Sequence, residues 1–259
     1  MIFNLLAIGD VVGEPSVDYL QSVLPSLKKE HDIHMTVANG ENISGLGITP
    51  AQARSLFASG ADVITLGNHT WNRIQISDFL DSNPHIIRPA NYAGRTPGRG
   101  LCTFESDCGV RVCVLNLMGR LNLNANLDSP FQAANRLLRD LDCDITVVDF
   151  HAEASSEKGA MGWHLDGRVS AVWGTHTHVP TADTKILPKG TGFVSDLGMT
   201  GPLHSVLGIR PDHSLNLFTG AVPRKFAPAE GPLKMESCIF SIDTDTRKCV
   251  SVKRLDIHQ

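Results

Sequence analysis

Five short motifs carry side chains that bind metal ions, and each follows an apolar run: Gly9-Asp10, Gly40-Glu41-Asn42, Gly67-Asn68-His69, Asp149-Phe150-His151 and Gly174-Thr175-His176-Thr177-His178. Carboxylate and amide oxygens combined with imidazole nitrogens suit first-row divalent ions such as manganese, iron or zinc, whereas a soft thiolate site would show paired cysteines. Seven residues in these motifs can act as donors: Asp10, Glu41, Asn42, Asn68, His151, His176 and His178. Two ions roughly 3.5–4 Å apart need about that many ligands, one of them a bridging carboxylate. Such a pair holds a bridging hydroxide for in-line attack and neutralises phosphoryl oxygens. The expected chemistry is metal-assisted hydrolysis.

Single motifs are less specific than the set. Asp10 alone reads equally as a turn aspartate capping the next helix. Glu41 is harder to explain in that way, because a loop needing only turn chemistry favours Asp, Asn or Gly. Asn68 offers a neutral carbonyl oxygen, and the adjacent His69 would stand beside the metal and could protonate a leaving group. Taken alone, Asn68-His69 also reads as a hydrogen-bonding pair in a loop. His176 and His178 are expected in extended chain, projecting to one side so that two imidazoles reach adjacent metals.

The elements that must position these residues are visible as apolar runs at 3–8, 35–38, 63–66, 86–88, 111–115, 145–150 and 171–173, which read as buried strands. Val17, Leu20, Leu24 and Leu27 share one helical face, with Pro25 expected to kink or split that helix. Thr49-Pro50 is an N-cap followed by proline at the first helical position, and Gly60 is placed as a stop. A third helix is expected at 131–141, with Ala134, Leu137, Leu138 and Leu141 as its apolar stripe. The alternation gives an α/β class. Residues 185–187, 192–195, 234–243 and 248–256 look like antiparallel strands, the last two joined by a hairpin at Thr244-Asp245-Thr246. Two packed mixed sheets with helices outside accommodate both halves and leave the motifs in loops at strand ends.

At 259 residues the chain can bury a large core, and a single domain over 1–259 is expected, since no linker divides donors that must meet. A content of 42% hydrophobic and 19% charged residues is ordinary for a globular protein and argues against disorder. A net charge of -4 and a pI near 6.2 argue against a broad basic face, so stable nucleic-acid binding is not expected. The first six residues lack a basic segment and a cleavage site, and Gly9-Asp10 ends the apolar run well short of a membrane span. Six cysteines without a C-x-x-C pair read as free thiols in a reducing cytoplasm.

The motifs together resemble the calcineurin-like metallophosphoesterases, and specifically the YmdB-type bacterial branch of cyclic-nucleotide phosphodiesterases. The wider superfamily carries Asp-x-His, Gly-Asp, Gly-Asn-His-(Asp/Glu), a His, and Gly-His-x-His. Here Val12 stands where the first His would be, and Glu41-Asn42 replaces the usual Asp. Both departures match the YmdB-type pattern, Gly-Asp-Val-Val-Gly and Asn-Gly-Glu-Asn, with Asn42 substituting for the missing imidazole. The resemblance extends through Gly67-Asn68-His69-Thr70-Trp71, Arg88-Pro89-Ala90-Asn91, Asp149-Phe150-His151-Ala152-Glu153-Ala154, Gly174-Thr175-His176-Thr177-His178-Val179 and Asp196-Leu197-Gly198-Met199-Thr200-Gly201. It thus covers nearly the whole chain.

What the resemblance implies is a metallophosphoesterase-type sandwich of two mixed β-sheets flanked by helices. It implies one metal held by Asp10, Asn42 and His178, another by Asn68, His151 and His176, Glu41 bridging and His69 as general acid. Iron or manganese is implied ahead of zinc, along with a homo-oligomer and a small cyclic-nucleotide substrate. Segments 121–129 and 204–210 carry no strong motif and are expected to bear on substrate choice or subunit contacts.

The leading expectation is a phosphodiesterase of small cyclic nucleotides, with 2′,3′-cyclic species preferred and 3′,5′-cyclic AMP a further candidate. The alternatives are a metal-dependent phosphomonoesterase or nuclease, and a regulatory metal-binding protein acting through an RNA-decay partner. His69 speaks for catalysis, since binding alone requires no general acid. No Gly-x-Ser-x-Gly elbow, complete G-x-G-x-x-G or Walker loop is present. Arg88, Arg95, Arg99 and Arg120 could contact phosphate and Trp71 and Trp163 could stack a base, but ligand-free arginines and packed aromatics are commoner.

Overall fold

The computed structural model describes residues 1–123, 126–222 and 227–259. Its first third holds β1 (Ile2–Ile8), β2 (Asp10–Val11), α1 (Glu14–Glu30), β3 (Ile33–Asn39), α2 (Pro50–Ala58), β4 (Val63–Thr65), α3 (Ile76–Ser82) and β5 (Ile86–Ile87). Then come β6 (Leu101–Glu105), β7 (Arg111–Met118), α4 (Pro130–Leu137), β8 (Ile145–His151), α5 (Ser155–Leu165) and β9 (Ala171–Thr175). The last third holds β10 (Lys185–Ile186), β11 (Gly192–Val194), β12 (Met199–Pro202), α6 (Pro211–Phe218), β13 (Leu233–Met235), β14 (Ser237–Asp243), β15 (Lys248–Arg254) and β16 (Ile257–His258).

One sheet has the order β15-β14-β1-β3-β4-β5 and a second the order β10-β11-β9-β8-β7-β6. Both have a parallel centre; the first has an antiparallel flank on the β14-β15 side only, the second at both edges. Side chains alternate along the strands, so each sheet has two apolar faces. Phe3, Leu5 and Ala7 of β1 meet Ile145 and Val147 of β8 and Trp173 of β9 between the sheets. Leu6 and Ile8 point outward and pack under Leu20 and Leu24 of α1 and Leu56 of α2. Val148 and Phe150 point outward from the second sheet against Ala134 of α4 and Met161 and Leu165 of α5. Burial on both faces, at about 1.5–3 kcal/mol per large side chain, is why these strands read as unbroken apolar runs. The sandwich of two mixed sheets flanked by helices is therefore the observed architecture.

A third sheet, β16-β13-β12-β2, was not foreseen. It corrects the reading of 234–243 as one strand: β13 pairs with β12 in the small sheet, whereas β14 pairs with β1 in the large one. Glu236 sits at the break, where its carbonyl accepts Gly9 N at 3.0 Å and its carboxylate accepts Met199 N at 2.9 Å. Glu236 thus links the two sheets without belonging to either.

Helix α1 runs through Pro25 unbroken, contrary to the expected split. Pro25 and Gln21 both face solvent, so the Gln21 carbonyl that proline leaves unpaired is exposed to water. Helix α2 has the expected Thr49 cap, extended to a reciprocal box with Gln52. Helix α4 stops at Leu137 rather than 141, and the acidic Asp140, Asp142 and Asp144 beyond it would oppose the negative end of a longer helix. Of segment 121–129, residues 124 and 125 lie outside the described residues. Among the described residues no helix is long and apolar enough to cross a membrane.

The motifs fall at the carboxyl ends of β1, β3, β4, β8 and β9, along one edge of the sandwich. Gly9 is the hinge between β1 and β2, and a Cβ there would lie 2.2 Å from the Gly198 carbonyl oxygen. Because backbone cannot retreat as a side chain can, Gly9→Ala should destabilise the protein by about 1–3 kcal/mol or more. Urea unfolding checks this; a midpoint equal to that of the unaltered protein would show that β12 gives way freely.

Candidate metal centre

Asp10 and Glu41 are wholly buried, and each has one carboxylate oxygen, Asp10 Oδ1 and Glu41 Oε1, without a hydrogen-bond partner among the described residues. The other oxygens are held by backbone: His176 N donates to Asp10 Oδ2 and His69 N to Glu41 Oε2, both at 3.0 Å. Two buried anions side by side require positive charge close to their free oxygens.

Around these oxygens the chain brings all seven predicted donors into one connected cluster. His151 Nε2 lies 2.8 Å from Asn68 Oδ1, 2.9 Å from Glu41 Oε1 and 3.1 Å from His176 Nδ1. Glu41, His151 and His176 present ligand atoms all within 4.8 Å of one another. On the other side His178 Nε2 lies 3.1 Å from Asn42 Nδ2 and 3.7 Å from Asp10 Oδ1. The free oxygen of Asp10 is also 4.0 Å from His151 Nδ1, so it faces both halves, whereas Glu41 lies against the His151 half. Asn42 turns its amide nitrogen to His178; a cation there would need the amide oxygen, a half-turn of the same group. The donor set and the orphaned oxygens fit divalent metal ions.

His176 and His178 do not lie in extended chain as expected. β9 ends at Thr175, and the two histidines have φ of 103° and 63°, in the left-handed region that costs about 1–3 kcal/mol for such residues. This bend, not strand alternation, aims one ring at His151 and the other at Asn42. The loop is held from below: Thr177 N and Oγ1 donate to Asp196 Oδ2 at 3.2 and 2.7 Å, and Lys158 Nζ of α5 meets the same oxygen at 2.5 Å. Lys158 and Asp196 are both buried, and removing either partner of such a pair costs about 3–5 kcal/mol. Segment 204–210 contributes the Leu207 carbonyl, 3.1 Å from His178 Nδ1.

His151 is oriented by a chain of hydroxyl and carboxylate groups. Thr175 Oγ1 donates to Asp149 Oδ1 at 2.7 Å, Thr65 Oγ1 donates to Asp149 Oδ2, and Thr175 Oγ1 lies 2.9 Å from His151 Nδ1. With its proton given to Asp149, Thr175 accepts from Nδ1–H, which leaves Nε2 facing the other donors. The ring also needs Gly67, where a Cβ would lie 2.3 Å from His151 atoms. Glu153 holds His176 from outside, Oε2 to Nε2 at 3.1 Å, and so turns Nδ1 inward.

Burial pushes the Asp10 carboxyl up, with His178 and His151 opposing. Burial acts on Glu41 in the same sense, but the nearby charges of His151 and His69 outweigh it and hold Glu41 below its ordinary value. His151 is held above its ordinary value because Glu41 and Asp10 outweigh its burial. Burial and the neighbouring His151 push His176 down to about 3, the neutral form that ligates metals. Burial raises Asp149 to about 6.

Sequence reasoning did not assign Asp149, Thr175, Glu153, Lys158 or Asp196 a role, although Asp149, Thr175, Glu153 and Asp196 lie inside the quoted motifs. Arg88 proves structural: its guanidinium donates to the carbonyls of Pro89, Thr96, Pro97 and Gly98. Trp71 packs edge-on against Tyr92, and Trp163 is exposed on α5.

A sequence profile described as YmdB-like protein matches residues 6–255. The chain is 45% identical over 258 residues to the 2′,3′-cyclic-nucleotide 2′-phosphodiesterase of Bacillus subtilis (strain 168), covering 98% of this chain and 97% of that one. It superposes on a crystal structure of a hypothetical protein from Thermus thermophilus with a TM-score of 0.92 at 36% identity, covering 99% of this chain and 100% of the other. A crystal structure of a novel phosphatase from Mycoplasma pneumoniae gives a TM-score of 0.93 at 31% identity, covering 100% and 94%.

Replacing Thr175 by Val keeps the shape of the side chain and removes the link between His151 and Asp149. Metal affinity should fall about 10–100-fold, the usual effect of losing an orienting partner, while the circular-dichroism spectrum stays the same. Competition with a chelator of known affinity measures it, and an unchanged affinity would mean that the link does not orient His151.

Proposed function

The chain belongs to the YmdB-like protein family and is a metal-dependent phosphodiesterase, and we propose that it opens small cyclic nucleotides, 2′,3′-cyclic species above all, by breaking the ester bond at the ribose 2′ oxygen. The observation that carries this reading is the pair of buried carboxylates with orphaned oxygens, ringed by Asn68, His151, His176, Asn42 and His178. Asp10, Asn42 and His178 would hold one ion and Asn68, His151 and His176 the other, with Glu41 offering its free oxygen from beside His151 and Asp10 facing both groups; iron or manganese suits these oxygen and nitrogen donors. Bound there, the ions supply Lewis acidity, which neutralises phosphoryl oxygens and makes a water molecule acidic enough to attack. The 3′,5′-cyclic isomer is a secondary substrate in this reading. The chain is read as one domain, because its donors come from the strands of both sheets.

His69 is the proton donor in this scheme. It stands half-buried beside Asn68, with Nδ1 3.3 Å from Asn72 Oδ1 and Nε2 3.3 Å from Asn68 Nδ2. Nδ1–H donating to Asn72 leaves Nε2 as the edge that takes a proton from solvent and passes it to the departing 2′ oxygen. Water adds to phosphorus, that oxygen leaves as a hydroxyl, and the product is a nucleoside 3′-phosphate. Asn68 ties this residue to the centre, since its amide oxygen faces His151 while its nitrogen faces His69.

Chelation should abolish hydrolysis of 2′,3′-cyclic AMP, and manganese or iron should restore it. Full turnover in a sample shown to be metal-free by elemental analysis would end the two-metal reading.

His69→Ala should retain both metals and lower turnover by roughly 10²–10⁴ on 2′,3′-cyclic AMP, the usual contribution of a positioned acid. The loss should shrink on bis-para-nitrophenyl phosphate, whose leaving group needs little protonation. Equal losses on both substrates would count against the acid role, and a lost metal ion would make His69 a ligand.

A further inference from the structure

A surface cleft of about 270 Å³ lies at the opposite edge of the second sheet from the metal centre. Thr146, near the start of β8, and Ser170, just before β9, line it, whereas His151 and His176 lie at the far ends of those strands. The separation along β8 alone is five residues, roughly 16 Å. The volume suits a small molecule rather than a folded partner.

Four cations line this cleft, Arg168, Lys189, Arg247 and Lys248, against one carboxylate, Asp144. Asp144 already accepts the Arg111 backbone N–H at 2.8 Å, and the Arg168 guanidinium donates to Asn135 Oδ1 at 2.7 Å. The charged ends of Lys189, Arg247 and Lys248 make no ion pair or hydrogen bond among the described residues. Their concentration in one cleft stands out in a chain of net charge -4.

The lysine stems are seated rather than free. Lys189 lies over Gly167, where a Cβ would come within 2.8 Å of its stem, and Lys248 lies over Gly190 at the same 2.8 Å. Both glycines have positive φ, so backbone conformation and absence of a side chain together admit the lysines. Leu138 and Val169 give the cleft an apolar side. We propose that this cleft is a second, non-catalytic site for a small phosphate-bearing anion, held between Lys189, Arg247 and Lys248. Cations grouped around a small cavity are the recognition chemistry of a phosphate group. A free phosphate and a mononucleotide share that chemistry.

The test is lysine acetylation of the metal-loaded enzyme, read by mass spectrometry, with and without millimolar inorganic phosphate or AMP. Lys189 and Lys248 should be protected several-fold while the exposed Lys29 and Lys253 react as before. Protection by phosphate alone assigns a free anion, and protection by AMP only assigns a nucleotide. In Lys189→Gln the AMP or phosphate concentration that half-protects Lys248 should rise about tenfold, as for the loss of one charge-assisted contact, with hydrolysis of bis-para-nitrophenyl phosphate unchanged. The proposal is overturned if neither ligand protects, if only a longer oligonucleotide protects, or if the Lys189→Gln value equals that of the unaltered protein.

Discussion

Two carboxylates wholly removed from water, Asp10 and Glu41, are the constraint on which the rest of the structure depends. An uncompensated buried charge costs several kcal/mol even after relaxation, and here two stand side by side, each with an oxygen that no hydrogen bond satisfies. His151 answers part of that charge, which is why its basicity is raised and that of Glu41 lowered. Divalent cations would answer all of it, displacing the His151 proton as they bind. The arrangement that makes the interior electrostatically expensive is thus also the one that suits a cation.

Holding that arrangement takes close backbone approaches and buried partners behind the donors. The His151 ring lies on the Gly67 backbone, and Gly174 lies against the Ser195 carbonyl, so neither position tolerates a side chain. The left-handed turns at His176 and His178 persist because Asp10, Asp196 and the Leu207 carbonyl each take a hydrogen bond from that loop. Asp196 in turn is neutralised by Lys158 inside the protein. Close packing is therefore concentrated under the candidate metal ligands, while His69 stands half-buried at the rim.

The two edges of the second sheet have opposite character. At the carboxyl edge β8 and β9 lead into the imidazoles of His151 and His176, and at the amino edge they begin beside lysine and arginine side chains. The parallel strands β7, β8, β9 and β11 impose this polarity, since each of them enters from one edge and leaves by the other. The candidate cation centre and the proposed anion cleft thus draw on different loops.

The donors were legible in the sequence because each sits in a short segment whose residue types serve packing or turn formation poorly: an acid, an amide or a His-x-His pair just after an apolar strand. The strand-and-helix alternation was legible for the same local reason, since burial on two faces leaves unbroken apolar runs. What sequence could not show is what depends on groups far apart along the chain. The break at Glu236 is fixed by Gly9, which donates to its carbonyl, and Met199, which donates to its carboxylate, two residues far from it in sequence. Thr175, Asp149 and Thr65 become an orienting chain for His151 only when β4, β8 and β9 lie side by side. His176 and His178 face different halves of the centre because a loop held by Asp10 and Asp196 bends them. Residue types and spacing prescribe which atoms can bind a cation, but packing prescribes where they point, because orientation is the sum of contacts between segments distant in sequence.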